Sequence, residues 1–275
     1  MGEPVQYGPD GIFIHTTDIR DAVFPLAEVA DGRAANPTGT GFLVGLSGFA
    51  LTASHCVPRD VTNLRAFFRL PNRWAAVHVL AAERHPTEDV ALLRLSIKGQ
   101  IWGMLRLDDR RLSPEHGVEV LGYPEETFYE RLRPDGTASY NPQIVNTRAY
   151  IRRLVNNPDH DMRGGGESFY ELSQLAGDGC SGAPAVAYDA PGSKTYKVVG
   201  IYKGQRQMTS SGGITTSVGY ATRSEMFAGW CPDILCQTLL KEANPPDGVE
   251  PIVLGPTDFA GSPYPPHDGA SASRG

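Results

Sequence analysis

Cysteine is scarce in this chain: Cys56, Cys180, Cys231 and Cys236 are the only four among 275 residues. They are too few and too unevenly spaced for the disulfide framework of a small secreted domain. No histidine pair accompanies Cys231 and Cys236, so no zinc site is expected, nor any other metal or cofactor. Basic charge is also short, with 25 Lys and Arg against 31 Asp and Glu and a net charge of −6. Nucleic-acid binding needs a concentrated basic face, and pairs such as Arg110-Arg111 and Arg152-Arg153 read as solvated surface. No apolar run reaches the roughly twenty residues of a membrane-spanning helix. The stretch from Met1 to Asp10 has neither the basic region nor the apolar core of a secretory leader. These absences predict a cytoplasmic setting with no membrane and no nucleic-acid partner. There is also no P-loop, dinucleotide fingerprint or internal repeat.

Turn formers are plentiful, with 31 Gly and 22 Pro. They break the chain into short strands rather than long helices. Residues 1–21 read as an N-terminal arm. A body over 22–243 divides into lobes at roughly 22–112 and 113–223, followed by a helix over 224–240. That helix is predicted from the spacing of Met226, Phe227, Trp230, Ile234, Leu235 and Leu239. Asn36-Pro37-Thr38-Gly39 reads as a turn, and Tyr129 to Asn141 as a long hairpin or loop. Residues 244–275, rich in proline and without periodicity, read as a linker or tail. Such a tail suggests one module of a longer protein, with a regulatory domain or partner beyond it.

Three separated stretches carry chemistry. Gly177-Asp178-Gly179-Cys180-Ser181-Gly182-Ala183-Pro184 is a poor helix and a poor strand but a good tight loop. It can aim consecutive N–H groups into one small space beside the Ser181 hydroxyl, as acyl transfer requires. Leu51-Thr52-Ala53-Ser54-His55-Cys56 offers a base at a strand end. Asp89-Val90-Ala91-Leu92-Leu93 offers an acid whose chain runs straight into a core. Taken singly, Ser181 is a residue of a polar turn, His55 a core histidine and Asp89 a strand-start cap. Together they supply a nucleophile, a base for it and a carboxylate to fix the base's tautomer. They stand in the order His–Asp–Ser, 34 and 92 positions apart.

On these stretches, with Gly39-Thr40-Gly41-Phe42-Leu43-Val44 and Val198-Val199-Gly200-Ile201-Tyr202, the sequence resembles the trypsin-like, chymotrypsin-fold serine peptidases, especially their compact bacterial members. The resemblance runs from about Ala22 to Trp230. It implies an all-β fold of two packed six-stranded Greek-key barrels with a C-terminal helix. It implies His55 as general base, Asp89 as its orienting acid and Ser181 as nucleophile, with the N–H groups of Gly179 and Ser181 as the oxyanion hole. It also implies a primary substrate pocket with Leu175 at its base and Tyr202 and Lys203 on its other wall, hence apolar or neutral. Two departures stand out: Cys180 precedes the serine where a polar residue is usual, and no cysteine before Ser54 pairs with Cys56, which is expected as a free thiol. The expected function is limited cleavage of a specific intracellular protein or peptide. The rival reading is a catalytically silent peptide-binding or scaffold module on the same fold. An esterase fits less well, because position 183 is alanine and not the glycine of a nucleophile elbow.

Overall fold

Period-two apolar segments closed by glycine and proline fold as strands whose inward faces must be buried together. The computed structural model describes residues 6–8, 11–13, 19–30, 33–70, 73–97, 105–127, 129–132, 138–140, 142–156, 165–188, 196–209, 211–213 and 215–246. Strands β1 (Gln6–Gly8) and β2 (Gly11–Phe13) pair as a small hairpin. Then β3 (Val23–Ala30), β4 (Arg33–Val44), β5 (Phe49–Thr52), β6 (Leu64–Leu70), β7 (Arg73–Arg84) and β8 (Ala91–Leu95) form the first body. Their order β3-β4-β5-β8-β7-β6 closes on itself as an antiparallel barrel. The jump from β5 to β8, rather than to its chain neighbour β6, is the Greek-key crossing. Asn36 and Pro37 lie inside β4 rather than in the predicted turn, paired with Glu28 and Ala27 where β3 and β4 slip register. A bulge accommodates the proline there without a free turn.

The second body begins with the short β9 (Arg106–Leu107) and β10 (Gly117–Gly122). After the hairpin β11 (Tyr129–Leu132) and β12 (Ala138–Tyr140) come β13 (Val145–Asn156), β14 (Ser168–Leu172), β15 (Pro184–Tyr188), β16 (Tyr196–Thr209) and β17 (Thr215–Arg223). The order β15-β10-β13-β14-β17-β16 returns from β16 to β15, a second closed six-stranded barrel, and β9 adds to β16 in parallel. The fold is the predicted all-β pair of barrels.

The predicted C-terminal helix is much shorter than its apolar spacing suggested. Residues 224–240 hold a single 3₁₀ turn, Ser224–Met226, and the only α-helix among the described residues is α1 (Leu239–Ala243). Pro232 lacks the N–H a helix interior needs, and Cys236 sits at φ 60°. Three of the six apolar residues are still fully buried, Phe227, Leu235 and Leu239 in the first-barrel core, while Met226 is exposed. No helix among the described residues is long and apolar enough to cross a membrane. The predicted tail lies outside the described residues from position 247 onward.

The first-barrel core, with Phe24, Leu26, Phe42, Phe49 and Leu51 fully buried, continues through the seam into Leu121, Tyr123, Val186, Val198 and Ile201 of the second. Each such side chain stabilises by about 1.5–3 kcal/mol. One shared core therefore fixes the barrels against each other, and with them any side chains that meet at the seam. Phe24 stacks tilted on Phe68 at 4.8 Å between ring centres. Phe24→Ala is expected to lower unfolding free energy by about 3–5 kcal/mol, read from urea denaturation.

Candidate active site

β5 ends at Thr52, and the chain turns through the single 3₁₀ turn Ser54–Cys56, which sets His55 at the edge of the first barrel. Asp89 lies just before β8, at the end of a tight loop tied by the N–H groups of Thr87 and Glu88 donating to His85 Nδ1. Asp89 has no solvent exposure. Its Oδ1 accepts the His55 backbone N–H at 3.0 Å, and its Oδ2 lies 2.7 Å from His55 Nδ1. A carboxylate only accepts, so Nδ1 carries a proton, and in the neutral ring it is Nε2 that holds the lone pair. Burial works against the imidazolium, but the hydrogen bond to Asp89, with smaller contributions from Cys56, outweighs it and pushes the His55 pKa up to about 10.

The Ser181 loop comes from the second barrel, between β14 and β15. Gly179 and Gly182 hold φ of 85° and 88°, and there is no room for side chains. A Cβ on Gly179 would come within 2.7 Å of Glu125 N. These angles and contacts require glycine. The peptides of the loop are oriented by their carbonyls. Asp178 C=O accepts from Glu125 N–H at 2.7 Å, and Cys180 C=O accepts from Ala183 N–H at 2.9 Å. In a trans peptide the N–H points opposite to the C=O. The N–H groups of Gly179 and Ser181 are thereby turned away from those bonds. Neither has a hydrogen-bond partner among the described residues.

Contacts from the first barrel hold the loop. Ser181 C=O accepts from Thr40 N–H at 2.8 Å and from Cys56 Sγ at 3.4 Å. Thr40 Oγ1 donates to Gly179 C=O and accepts from Tyr123 N–H, both at 3.0 Å. Cys180 is buried, and its thiol donates to Ala176 C=O at 3.0 Å. Burial, with Glu126 and Asp178 nearby, pushes that thiol up to about 12, so it serves as neutral packing. All four cysteines are free, including Cys56 as expected. Among the described residues no three His, Cys, Asp or Glu side chains gather as metal ligands.

His55, Gly179 and Ser181 line one cleft of about 680 Å³. Ser181 Oγ donates to the Lys203 carbonyl at 3.0 Å, and no hydrogen bond joins it to His55. Of the residues expected around a primary pocket, Lys203 lines this cleft and Leu175 and Tyr202 do not. Tyr202 is fully buried, its hydroxyl accepting from Ala176 N–H at 3.2 Å while its ring reaches the backbone of Gly219. The space expected for a pocket between position 175 and β16 is therefore filled by the tyrosine itself. The Lys203 ammonium points inward instead: it donates to Gly165 C=O, lies 3.6 Å from Asp89 Oδ2 and sits 4.9 Å from the centre of the Phe169 ring. Thr40, Glu125 and the Lys203 ammonium carry no motif, and sequence reasoning gave them no such roles. Gly39-Thr40-Gly41 marks only that the backbone passes closely there.

One barrel contributes the Ser181 loop and the other the paired His55 and Asp89, which is how a chymotrypsin-like peptidase builds its cleft. Residues 39–201 match the trypsin-like peptidase domain, and the chain belongs to that family: it is a serine endopeptidase. Solved structures share the fold at low identity. The apo MamO protease domain of Magnetospirillum magneticum superposes with a TM-score of 0.52 at 15% identity, covering 76% of this chain and 95% of that one. The Rv3671c protease of M. tuberculosis, in an inactive form, gives 0.49 at 18% identity, covering 76% and 87%. The HtrA-type protease AlgW with a decapeptide gives 0.49 at 15% identity, covering 75% and 62%. No curated protein matches the sequence.

Thr40 is completely buried, so removing its hydroxyl would orphan Gly179 C=O and Tyr123 N–H together. Thr40→Val should lower stability to urea by about 1–3 kcal/mol, and Thr40→Ser, which keeps the hydroxyl, should lose clearly less.

Proposed function

We propose that this peptidase cuts by a triad of Ser181, His55 and Asp89 through an acyl-enzyme. The observation that carries the reading is the His55–Asp89 pair. Both oxygens of a fully buried carboxylate hold the histidine, leaving Nε2 free on the same cleft as Ser181. Rotation of Ser181 χ1 takes Oγ from the Lys203 carbonyl toward Nε2 as substrate enters. Oγ then attacks the peptide carbonyl carbon and its proton passes to Nε2. The oxyanion is taken up by the free N–H groups of Gly179 and Ser181. His55 returns the proton to the leaving amine, and water attacks the acyl-enzyme by the same route in reverse.

The primary site is proposed to take small neutral side chains. Tyr202 fills the space behind Ser181, which leaves no depth there for a long side chain such as lysine or arginine. Limited cleavage of a specific protein in the cytoplasm is the proposed setting, supported by four cysteines all present as thiols. A regulatory domain or partner tethered through residues 244–275 is proposed as the restraint such an enzyme needs.

A serine-directed fluorophosphonate should label the wild-type chain. Ser181→Ala and His55→Ala should abolish both labelling and peptide cleavage without unfolding the protein. Asp89→Asn should lose on the order of 10⁴ in turnover through the wrong imidazole tautomer. A folded wild-type chain that takes no label would instead support the silent peptide-binding reading, toward which the Ser181–Lys203 hydrogen bond points.

Specificity is checked with a peptide library. Small neutral residues before the cut are expected to outperform Phe, Leu, Arg and Lys. Strict cleavage after Arg or Lys would overturn this and assign recognition to Asp178 and Glu125, which line the cleft.

A further inference from the structure

Lys203 is only 5% exposed and lies on β16 against the buried side of Asp89. An ammonium is costly to bury, and an apolar side chain of similar size would fill the space beside Phe169 at least as well. Its presence therefore calls for a role beyond filling the barrel. The contacts point to one. Its Nζ approaches Asp89 Oδ2 at 3.6 Å, the same oxygen that takes His55 Nδ1 at 2.7 Å. Its own backbone carbonyl holds Ser181 Oγ at 3.0 Å. One residue thus touches both ends of the Ser–His–Asp arrangement.

We propose that Lys203 is a positioning residue of this site, whose buried ammonium shares Asp89 with His55 and so weakens the carboxylate's hold on the imidazolium. The proposal rests on the triad reading above. A carboxylate facing His55 alone would keep the ring charged to still higher pH, and a charged ring cannot accept the Ser181 proton. A second cation on the same oxygen offsets part of the carboxylate's charge and repels the imidazolium. Both effects lower the basicity of Nε2.

The other groups around the pair act on the same balance. Glu88, buried beside Asp89, adds negative charge and accepts the Glu167 N–H at 3.2 Å. Burial raises the Glu88 pKa, which reduces that charge as pH falls, and Lys203 and Arg223 act against the rise. Glu167 and Cys56 complete the titratable set near His55 and Glu88. Burial draws the Lys203 pKa down, while Asp89 and Glu88 draw it up. The ammonium also anchors Gly165 C=O, so it sets the segment that supplies Glu167.

The test is the titration of His55 followed by ¹H–¹⁵N NMR in the whole chain, in wild type, Lys203→Met and Lys203→Arg. It needs no catalysis. Lys203→Met should raise the His55 pKa by on the order of one pH unit, and Lys203→Arg should keep it near the wild-type value. The acid limb of the fluorophosphonate labelling rate should move by the same amount in the same direction. Should Lys203→Met fail to fold, Lys203→Gln removes the charge while keeping a donor for Gly165 C=O, and the same shift is expected. A His55 titration unchanged in the folded neutral variants would overturn the proposal even if Ser181 labels normally. So would a shift that Lys203→Arg fails to restore. If His55 shifts as stated but Ser181 takes no label in any variant, the triad reading fails and the Lys203 assignment stands.

Discussion

A carboxylate without solvent exposure must have its charge answered from inside the protein, and Asp89 is the point at which this fold meets that demand. His55 answers both oxygens, one through its backbone N–H and one through its ring. That double hold fixes the imidazole's position and its tautomer at once, so the geometry of the cleft follows from where Asp89 is buried. Its burial follows in turn from Val90, Ala91, Leu92 and Leu93, all within the first-barrel core. An acid at the end of so apolar a run is carried inward by the packing of its neighbours.

The Ser181 loop depends on a different constraint, the close approach of two barrels. Its peptides are not set within the loop alone. Thr40 from β4 grips it twice, through its N–H to Ser181 C=O and its hydroxyl to Gly179 C=O. Glu125, just after β10, grips Asp178 C=O. Both are the type of bond that a buried backbone group must find somewhere. Found here, they leave the Gly179 and Ser181 N–H groups without partners among the described residues. Cys180 contributes by packing, its buried thiol being neutral at any physiological pH. The direction of these two N–H groups thus comes from the second body and the loop itself, while Thr40 fixes the loop against the first barrel.

The sequence was legible where chemistry forces a residue type into a local pattern. Glycines around Ser181, the small-residue corner at His55 and the apolar run after Asp89 each have a local physical cause, and the structure brings Ser181 and His55 to one cleft with Asp89 buried against His55. The abundance of glycine and proline likewise predicted short strands, and strands such as Leu64–Leu70 and Pro184–Tyr188 form. What failed were readings that depend on long-range partners. The spacing of Phe227, Leu235 and Leu239 reported burial correctly but not helix, because a segment laid against another barrel can be buried in any conformation. Pro232 was the local warning against the longer helix. Tyr202 was assigned to a pocket wall, yet its ring fills that space, a matter of side-chain direction on β16 that position alone does not carry.

Lys203 shows the same limit from the other side. The resemblance set Lys203 on a pocket wall beside Tyr202, but its ammonium turns inward to Asp89 and Gly165 C=O. Alternation predicts the opposite face from Tyr202, yet Tyr202 and Lys203 are both buried, at the point where β16 slips register against β17 between Tyr202 and Gly204. A bulge re-aims a side chain, and bulges gather beside active sites for that reason. Here two consecutive residues serve two interiors: Tyr202 packs behind the Ser181 loop, and Lys203 reaches across the seam to Asp89. One strand of the second barrel thereby places a charge against a carboxylate of the first, beside its own register slip.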